Sequence, residues 1–399
     1  MTLVPLDKAP ARGSSVRSLR RANGRLLLDL LRRHGPQTRA ALAEATSMTP
    51  QGVAQIAADL VAEGLVLEVA PDPAAARRRG RPPVQLAFNP EASATVAVVV
   101  ERGIWHVAVA DGLGRDRVRR TVLDRPTSPS GVVEDLAATV LDLLRGEGVD
   151  LHRLSEVVLV PGGAPGDVAL LQLAGVELDR LAAALGAPVR SLSAPAAVAF
   201  GATAASSDGD PPAALAVLDV GPDLAFAVVL DGSLVVGGRG PAGGIGHCAV
   251  PGHDRPCRCG RRGCLSTMFE PETIGHLHRA AGGSGQVSGV RDLARGAAAG
   301  DAAARAVLDE LVAWAGYAGA VLASCHDLDA VVFTGVAADL GGPDRQLLAA
   351  TLTRLAAPGA RPRLATRVQR ADVDALLAGA VAAGLGTGPR RALDPPGPN

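Results

Sequence analysis

Near its start the chain alternates between helical and strand-like hydrophobic periods. "NGRLLLDLLRRHG" sets Leu26, Leu27, Leu30 and Leu31 at helical spacing, and Gly35-Pro36 stops the helix. Thr38 is placed to cap a second helix, "RAALAEAT", with Leu42 facing inward. After the short turn "SMTP", Thr49 is a good N-cap and Pro50 a good first residue for "QGVAQIAADLVAEG". That helix has Val53, Ile56, Leu60 and Val61 as its core stripe and ends at Gly64. The period then shortens to that of strands in "LVLEVA" and "PVQLAF", which flank the loop "PDPAAARRRGRPP". Three short helices, a tight turn between the second and third, and two strands around a basic loop predict a winged helix-turn-helix over residues 15–90.

Further along, "TVAVVVE" and "IWHVAVAD" read as a hairpin of strands. "GVVEDLAATVLDLLRGEG" reads as a helix and "LSEVVLVPGG" as a strand entering a loop. "ALAVLDVGPDLAFAVVLDGSLV" is a second hairpin, "AVVFTGVA" a late buried strand and "VDALLAGAVAAGLG" a closing helix. The pattern is therefore α/β throughout the remainder of the chain.

Composition narrows the class. At 48% hydrophobic and 20% charged, the 399 residues fall in the range of globular proteins with two or three domains. Aromatics are only 2%, so the cores must rest on Leu, Val and Ala. No segment is expected to approach the roughly 20 apolar residues that span a bilayer. The N-terminus has no apolar stretch of the signal-peptide kind, so a cytoplasmic, nucleoid-associated protein without a membrane partner is expected.

The net charge is zero, so a polyanion has to be met by a local patch. One exists at the start. Arg12, Arg17, Arg20, Arg21, Arg25, Arg32, Arg33 and Arg39 are opposed between positions 12 and 39 only by Asp29. The third helix is expected in the major groove with Gln51 and Gln55 outward, since glutamine pairs bidentately with adenine. Arg39 suits a phosphate. In the wing, Arg-Gly-Arg-Pro is extended and narrow, a shape that places arginine in an A/T-rich minor groove. The predicted DNA contacts are Arg39, Thr49, Gln51 and Gln55, with Arg77, Arg78, Arg79 and Arg81 in the wing. A three-helix unit alone also serves for protein docking; the wing and the arginine excess favour DNA.

Four of the five cysteines crowd into "HCAVPGHDRPCRCGRRGCLS". From Cys257 the pattern is Cys-x-Cys-Gly-x-x-Gly-Cys, with His247 upstream. Thiolates and an imidazole in a set of four suit tetrahedral Zn²⁺, and a full set with no open position makes a structural site. Gly260 and Gly263 let the backbone turn tightly enough for the cysteines to converge. Cys248 and His253 compete for places in the set, although Cys248 adjoins His247 and has to point elsewhere.

The winged helix, "GGIGH" and "CRCGRRGCL" together resemble the ROK family (repressors, open reading frames and sugar kinases), in particular its repressor branch. The likeness runs over about residues 15–387. It implies two ribonuclease-H/actin-like lobes, at 91–200 with the closing helix 373–387, and at 201–372 with the metal loop. It also implies the ligand set His247, Cys257, Cys259 and Cys264 for structural Zn²⁺. Its partners are implied to be an inverted-repeat operator in double-stranded DNA, A/T-rich under the wings, and a second copy of the chain in a homodimer or a tetramer.

Against the family's kinases the reactive positions are altered. The first phosphate strand, Asp-x-Gly-Gly-Thr in the kinases, matches "VVVERG", in which the acid is displaced to Glu101 and the paired glycines are absent. The second phosphate loop keeps only Gly221, and Pro222 removes a backbone donor. The position of the kinase base falls on Ser193, the preceding Asn on Leu192 and the later Asn on Pro195. Two sugar-contacting glutamates have become Gly244 and Ser266. The expectation is a non-enzyme: a DNA-binding regulator, most simply a repressor, with a degenerate kinase-like module. A sugar is a less expected effector than for typical members. An atypical sugar kinase and a protein-docking scaffold are the alternatives.

Overall fold

The computed structural model describes residues 16–70, 84–101, 104–123, 131–161, 174–204, 212–237, 240–241, 243–359 and 364–387. The chain divides into two compact units: residues 1–94 with the turn 111–115, and residues 95–110 with 116–399.

The first unit is a winged helix. Its elements are α1 (Val16–His34), β1 (Gln37–Thr38), α2 (Arg39–Thr46), α3 (Pro50–Ala62), β2 (Val66–Val69) and β3 (Gln85–Phe88). α1 ends where Gly35 turns to φ +69°, as the Gly-Pro pair predicts. α2 and α3 start on the foreseen caps: the Ala41 N–H donates to Thr38 Oγ1 and the Gly52 N–H to Thr49 Oγ1, each at 3.1 Å. Ser47, in the left-handed region at φ 54°, makes the turn between the two helices. The sheet order is β1-β3-β2, with β3 antiparallel to both neighbours. The strand β1 leaves no mark in the sequence, because two residues carry no period.

The core of this unit joins Leu27, Leu31, Leu42, Val53, Ile56, Leu60, Val66, Leu86 and Phe88. Leu26 is 37% exposed, which corrects its place in the predicted stripe. Successive residues on a helix lie about 100° apart, so the i, i+4 pair Leu27/Leu31 takes the inward direction. The Arg32 guanidinium lies 4.3 Å above the Phe88 ring, and burial pushes its pKa down.

The second unit holds two five-stranded mixed sheets. The first runs β6-β5-β4-β7-β8, from β4 (Ala94–Glu101), β5 (Ile104–Asp111), β6 (Asp116–Leu123), β7 (Leu154–Pro161) and β8 (Val189–Ser191). The second runs β11-β10-β9-β14-β15, from β9 (Ala214–Val220), β10 (Ala225–Leu230), β11 (Ser233–Leu234), β14 (Ala330–Gly335) and β15 (Ala365–Val368). A short ribbon, β12 (Val236–Gly237) and β13 (Gly240–Pro241), precedes the metal loop. The helices are α4 (Gly131–Gly146), α5 (Ala174–Leu185), α6 (Ala194–Ala204), α7 (Pro271–Ala280), α8 (Val290–Ala298), α9 (Ala302–His326), α10 (Gly342–Leu355) and α11 (Val373–Ala382).

One buried cluster draws on both sheets, through Val99, Val158, Val217 and Val332, and on α6 and α11. The closing helix α11 crosses α6 where a Cβ on Gly379 would fall 1.9 Å from the Ala197 carbonyl oxygen. No other residue type permits that approach.

α9 corrects one expectation. It has 25 residues and is apolar enough by length and composition to cross a bilayer, but 61% of its most apolar window is buried inside the protein. Gly316 packs against Thr351 and Leu352 of α10, Gly319 against Leu352 and Phe333 of β14, and Ala315, Ala318 and Ala320 lie in the same buried core. The many small residues blur the apolar run in the sequence and allow close packing in the fold.

Candidate metal centre and nucleic-acid interface

His247 ends a short 3-10 turn, Gly244–His247, and Cys264 precedes another, Leu265–Phe269. Between them the chain folds on itself through isolated antiparallel bridges, Ala249 to Cys264 and Pro256 to Arg262. The Cys257 N–H donates to the Arg261 carbonyl at 2.8 Å and the Gly260 N–H to the Cys257 carbonyl at 2.9 Å, closing a knuckle around Cys259. Gly260 (φ +86°) and Gly263 (φ +75°) make its turns; a Cβ on Gly263 would lie 2.3 Å from the His253 carbonyl oxygen.

The result is a cluster of His247, Cys257, Cys259 and Cys264 whose ligand atoms all lie within 4.8 Å of one another. Cys257 Sγ is 3.6 Å from His247 Nδ1, and the Sγ atoms of Cys259 and Cys264 are 3.6 Å apart. A four-coordinate ion bound at about 2.3 Å to sulfur and about 2.0–2.1 Å to nitrogen separates its ligand atoms by about 3.6–3.8 Å. The donor set fits such an ion. The two competitors stand apart from it: Cys248 is exposed, and His253 Nε2 pairs with Thr267 Oγ1 at 2.8 Å.

The sulfurs are not equivalent. The Arg261 backbone N–H, together with its guanidinium and the neighbouring sulfurs, pulls the Cys259 thiol down from 9.0 to about 6. Burial, then the neighbouring sulfurs, pushes Cys264 up to about 11. Arg261 also donates to the His247 carbonyl at 2.7 Å, placing a cation beside the cluster. A bound cation is what allows all the sulfurs to be thiolates together. In metal-stripped protein at pH 7, Cys259, which is exposed, is expected to react first with iodoacetamide and buried Cys264 last. Because the Cys259 pKa lies below its ordinary value, that reactivity is present at pH 7 and falls as the pH drops through about 6. Peptide mapping of the alkylated protein checks the order, and equal labelling of both residues contradicts it.

In the winged helix, Gln51 and Gln55 are exposed on α3. Thr49 is exposed as well, with its hydroxyl oxygen occupied as the cap of α3. Arg39 sits at the start of α2 but donates to Glu68 of β2 at 2.5 Å, so in this structure its charge is shared with a carboxylate. The wing arginines Arg77, Arg78, Arg79 and Arg81 lie outside the described residues. A second ion pair joins Arg20 of α1 to Asp59 of α3, with Nε 3.0 Å from Oδ2. The sequence offered no sign of either pair, since the partners are far apart along the chain.

The kinase-related positions are spread over the second unit. Leu192 is buried, and the exposed Ser193 accepts from the Ala196 N–H at 3.4 Å, capping α6. Gly244 is exposed and Ser266 is 1% exposed. Where β9 turns into β10, Pro222 has no N–H, and the Asp223 carboxylate is ion-paired with Arg258 of the metal loop. Near the end of β9, Asp219 is half-buried and accepts from Thr334 Oγ1 at 3.0 Å. Burial pushes its carboxyl above the usual range. The matching turn after β14 is closed: a Cβ on Gly335 would lie 2.4 Å from Asp219 Oδ1.

Residues 176–382, just over half of the chain, match the ROK family model. The chain belongs to the ROK family. Residues 25–78 match the MarR family model, so the ROK domain carries a MarR-type winged helix at its N-terminal side. A glucokinase from Halalkalibacterium halodurans is 29% identical over 175 residues, 40% of this chain and 53% of that protein. The chain thus spans about half the length of the curated relative it matches. Among solved structures, a ROK family transcriptional regulator homologous to the E. coli MLC protein is 21% identical. It superposes with a TM-score of 0.73 over 92% of this chain and 97% of its own. The ROK hexokinase from Thermus thermophilus is 23% identical and aligns with 72% of this chain and 97% of its own at a TM-score of 0.60. These likenesses establish the fold: a winged helix followed by a ROK, actin-like sugar-kinase domain.

Proposed function

We propose that the chain is a sequence-specific transcriptional regulator, a repressor, whose ROK domain transfers no phosphate. The observation that carries this reading is the union of a MarR-type winged helix with a kinase-like domain whose second phosphate loop carries Pro222 and keeps only Gly221. Asp219 and Asp223 flank the turn where nucleotide phosphates are held in kinases, and Pro222 withdraws a donor from it. Ser193, used as a helix cap, is no carboxylate base.

On this reading the protein acts in the cytoplasm as a homodimer, or a tetramer built from it, on an inverted-repeat operator. The winged helix occupies about residues 15–90 and the two ROK lobes the remainder. Zn²⁺ held by His247, Cys257, Cys259 and Cys264 braces the loop beside the effector cleft and takes no part in chemistry. The thinned polar contacts favour an effector less polar than a free sugar.

The test takes the full chain, metal-replete, in two assays. Selection from a random duplex library at low ionic strength is expected to enrich a two-fold symmetric sequence. Incubation with ATP and hexoses or N-acetylhexosamines is expected to yield no sugar phosphate. Phosphorylation of a sugar without duplex enrichment would establish the kinase alternative instead.

A further inference from the structure

We infer that α3 reads A·T pairs in the major groove through thymine methyl groups, with Ala54 and Ala58 as specificity-determining residues. The inference rests on the DNA-binding reading above and deepens it. Buried Val53, Ile56, Ala57 and Leu60 fix the orientation of the helix. Pro50, Gln51, Ala54, Gln55, Ala58 and Ala62 are exposed, and Gln51, Ala54, Gln55 and Ala58 have the i, i+3, i+4, i+7 spacing of one face.

That face carries no charge. α3, "PQGVAQIAADLVA", contains neither Arg nor Lys, the residues that most often read guanine. Its one acid, Asp59, is held by Arg20 of α1, so it does not set a free negative charge against the phosphates. Cationic groups are carried by α1 of the same unit, where Arg25 and Arg33 are exposed. This is the charge arrangement a duplex requires: attraction from the flanks and a neutral surface at the bases.

An A·T pair offers the major groove an adenine N7/N6 edge and a thymine C5 methyl. Glutamine matches the first and a methyl side chain the second. Small residues alone on a helix are silent. Here they alternate with two glutamines, on the helix that a helix-turn-helix inserts into the groove, within the segment that matches the MarR family. The short alanine side chains also let the helix axis approach the base edges, bringing Gln51 and Gln55 within reach of adenine.

The test begins with the duplex enriched by the full-length protein. Each thymine is replaced singly by deoxyuracil, which keeps pairing and hydrogen bonds and removes only the methyl. Fluorescence anisotropy then gives the Kd of each duplex. Affinity is expected to fall about 3- to 4-fold at one or two thymines per half-site, the worth of one buried methyl-sized group. Thymines under the wing are expected to be indifferent, because their methyls point into the opposite groove. In Ala54→Gly and Ala58→Gly, the thymine-to-uracil ratio at the matching position is expected to fall to about 1. That ratio compares two duplexes on one protein, so a general weakening by glycine cancels, and the uracil series on the unaltered protein stands even if a variant fails to fold. Enriched duplexes that bind equally well with uracil throughout, or that place G·C under α3, overturn the inference and leave the DNA-binding reading intact. No enrichment of any duplex overturns both.

Discussion

Replacing Cys264 by serine is expected to release the metal, lower the melting temperature of the ROK unit by about 6–12 °C and weaken operator binding. The residue is 1% exposed, lies 3.6 Å from Cys259 Sγ and is bridged to Ala249, so it joins the two ends of the loop. Serine removes a soft ligand and leaves an uncharged hydroxyl in its place. Structural zinc contributes about 10–16 kcal/mol in small finger peptides, where it is nearly the whole of the fold. Here the loop is tied as well by backbone bonds from Val250 to Gly263 and from Leu265 to Cys248, so a loss of about 3 kcal/mol is a reasonable fraction. At about 2–4 °C per kcal/mol for a unit of this scale, the melting shift follows. Metal content by elemental analysis, differential scanning fluorimetry and anisotropy on one preparation read the three effects. A variant that has lost its metal but melts and binds as before would show that the cluster braces nothing.

The second large effect lies in the wing. Arg79→Ala with Arg81→Ala is expected to weaken specific binding about 10- to 100-fold and to flatten its salt dependence. Each phosphate-neutralising arginine contributes about 0.9 to the slope of log K against log salt, and a two-fold complex loses each contact twice. Melting curves of the two proteins separate a loss of binding from a loss of folding. Titrations of the wild-type and double-variant proteins at several salt concentrations give the two slopes. Identical slopes would remove the wing from the interface and leave α3 with the flanking arginines of α1 to hold the duplex.

The histidine–cysteine cluster is legible because its information is short-range. Two glycines in left-handed turns and three cysteines within eight positions can converge in few ways, and the fold realises one of them. The winged helix was legible for a related reason: Thr38, Thr49 and Pro50 are local signals for where helices begin, and the structure places its caps there. Leu26 shows where periodicity stops being sufficient. Leu26, Leu27, Leu30 and Leu31 all satisfy a helical stripe, and only packing against α3 and β3 decides that Leu27 and Leu31 face inward.

Charge pairing lies beyond local reading altogether. Arg39 looks like a phosphate ligand in the sequence, and the fold sets Glu68 against it. Arg20 with Asp59 and Asp223 with Arg258 are pairs of the same kind. They matter because the first pairs the only acid within α3 and the second ties the turn between β9 and β10 to the cysteine loop.

What the sequence determined by itself was the winged helix and the cysteine cluster: the caps and the cysteine spacing act over a few residues, where covalent geometry and local sterics dominate. Only the tertiary structure decided which arginines remain free, which face of α3 is bare, and that the apolar helix Ala302–His326 belongs to a core. Those outcomes depend on burial and on Coulomb partners brought together from distant segments, and no local pattern encodes the distance between them.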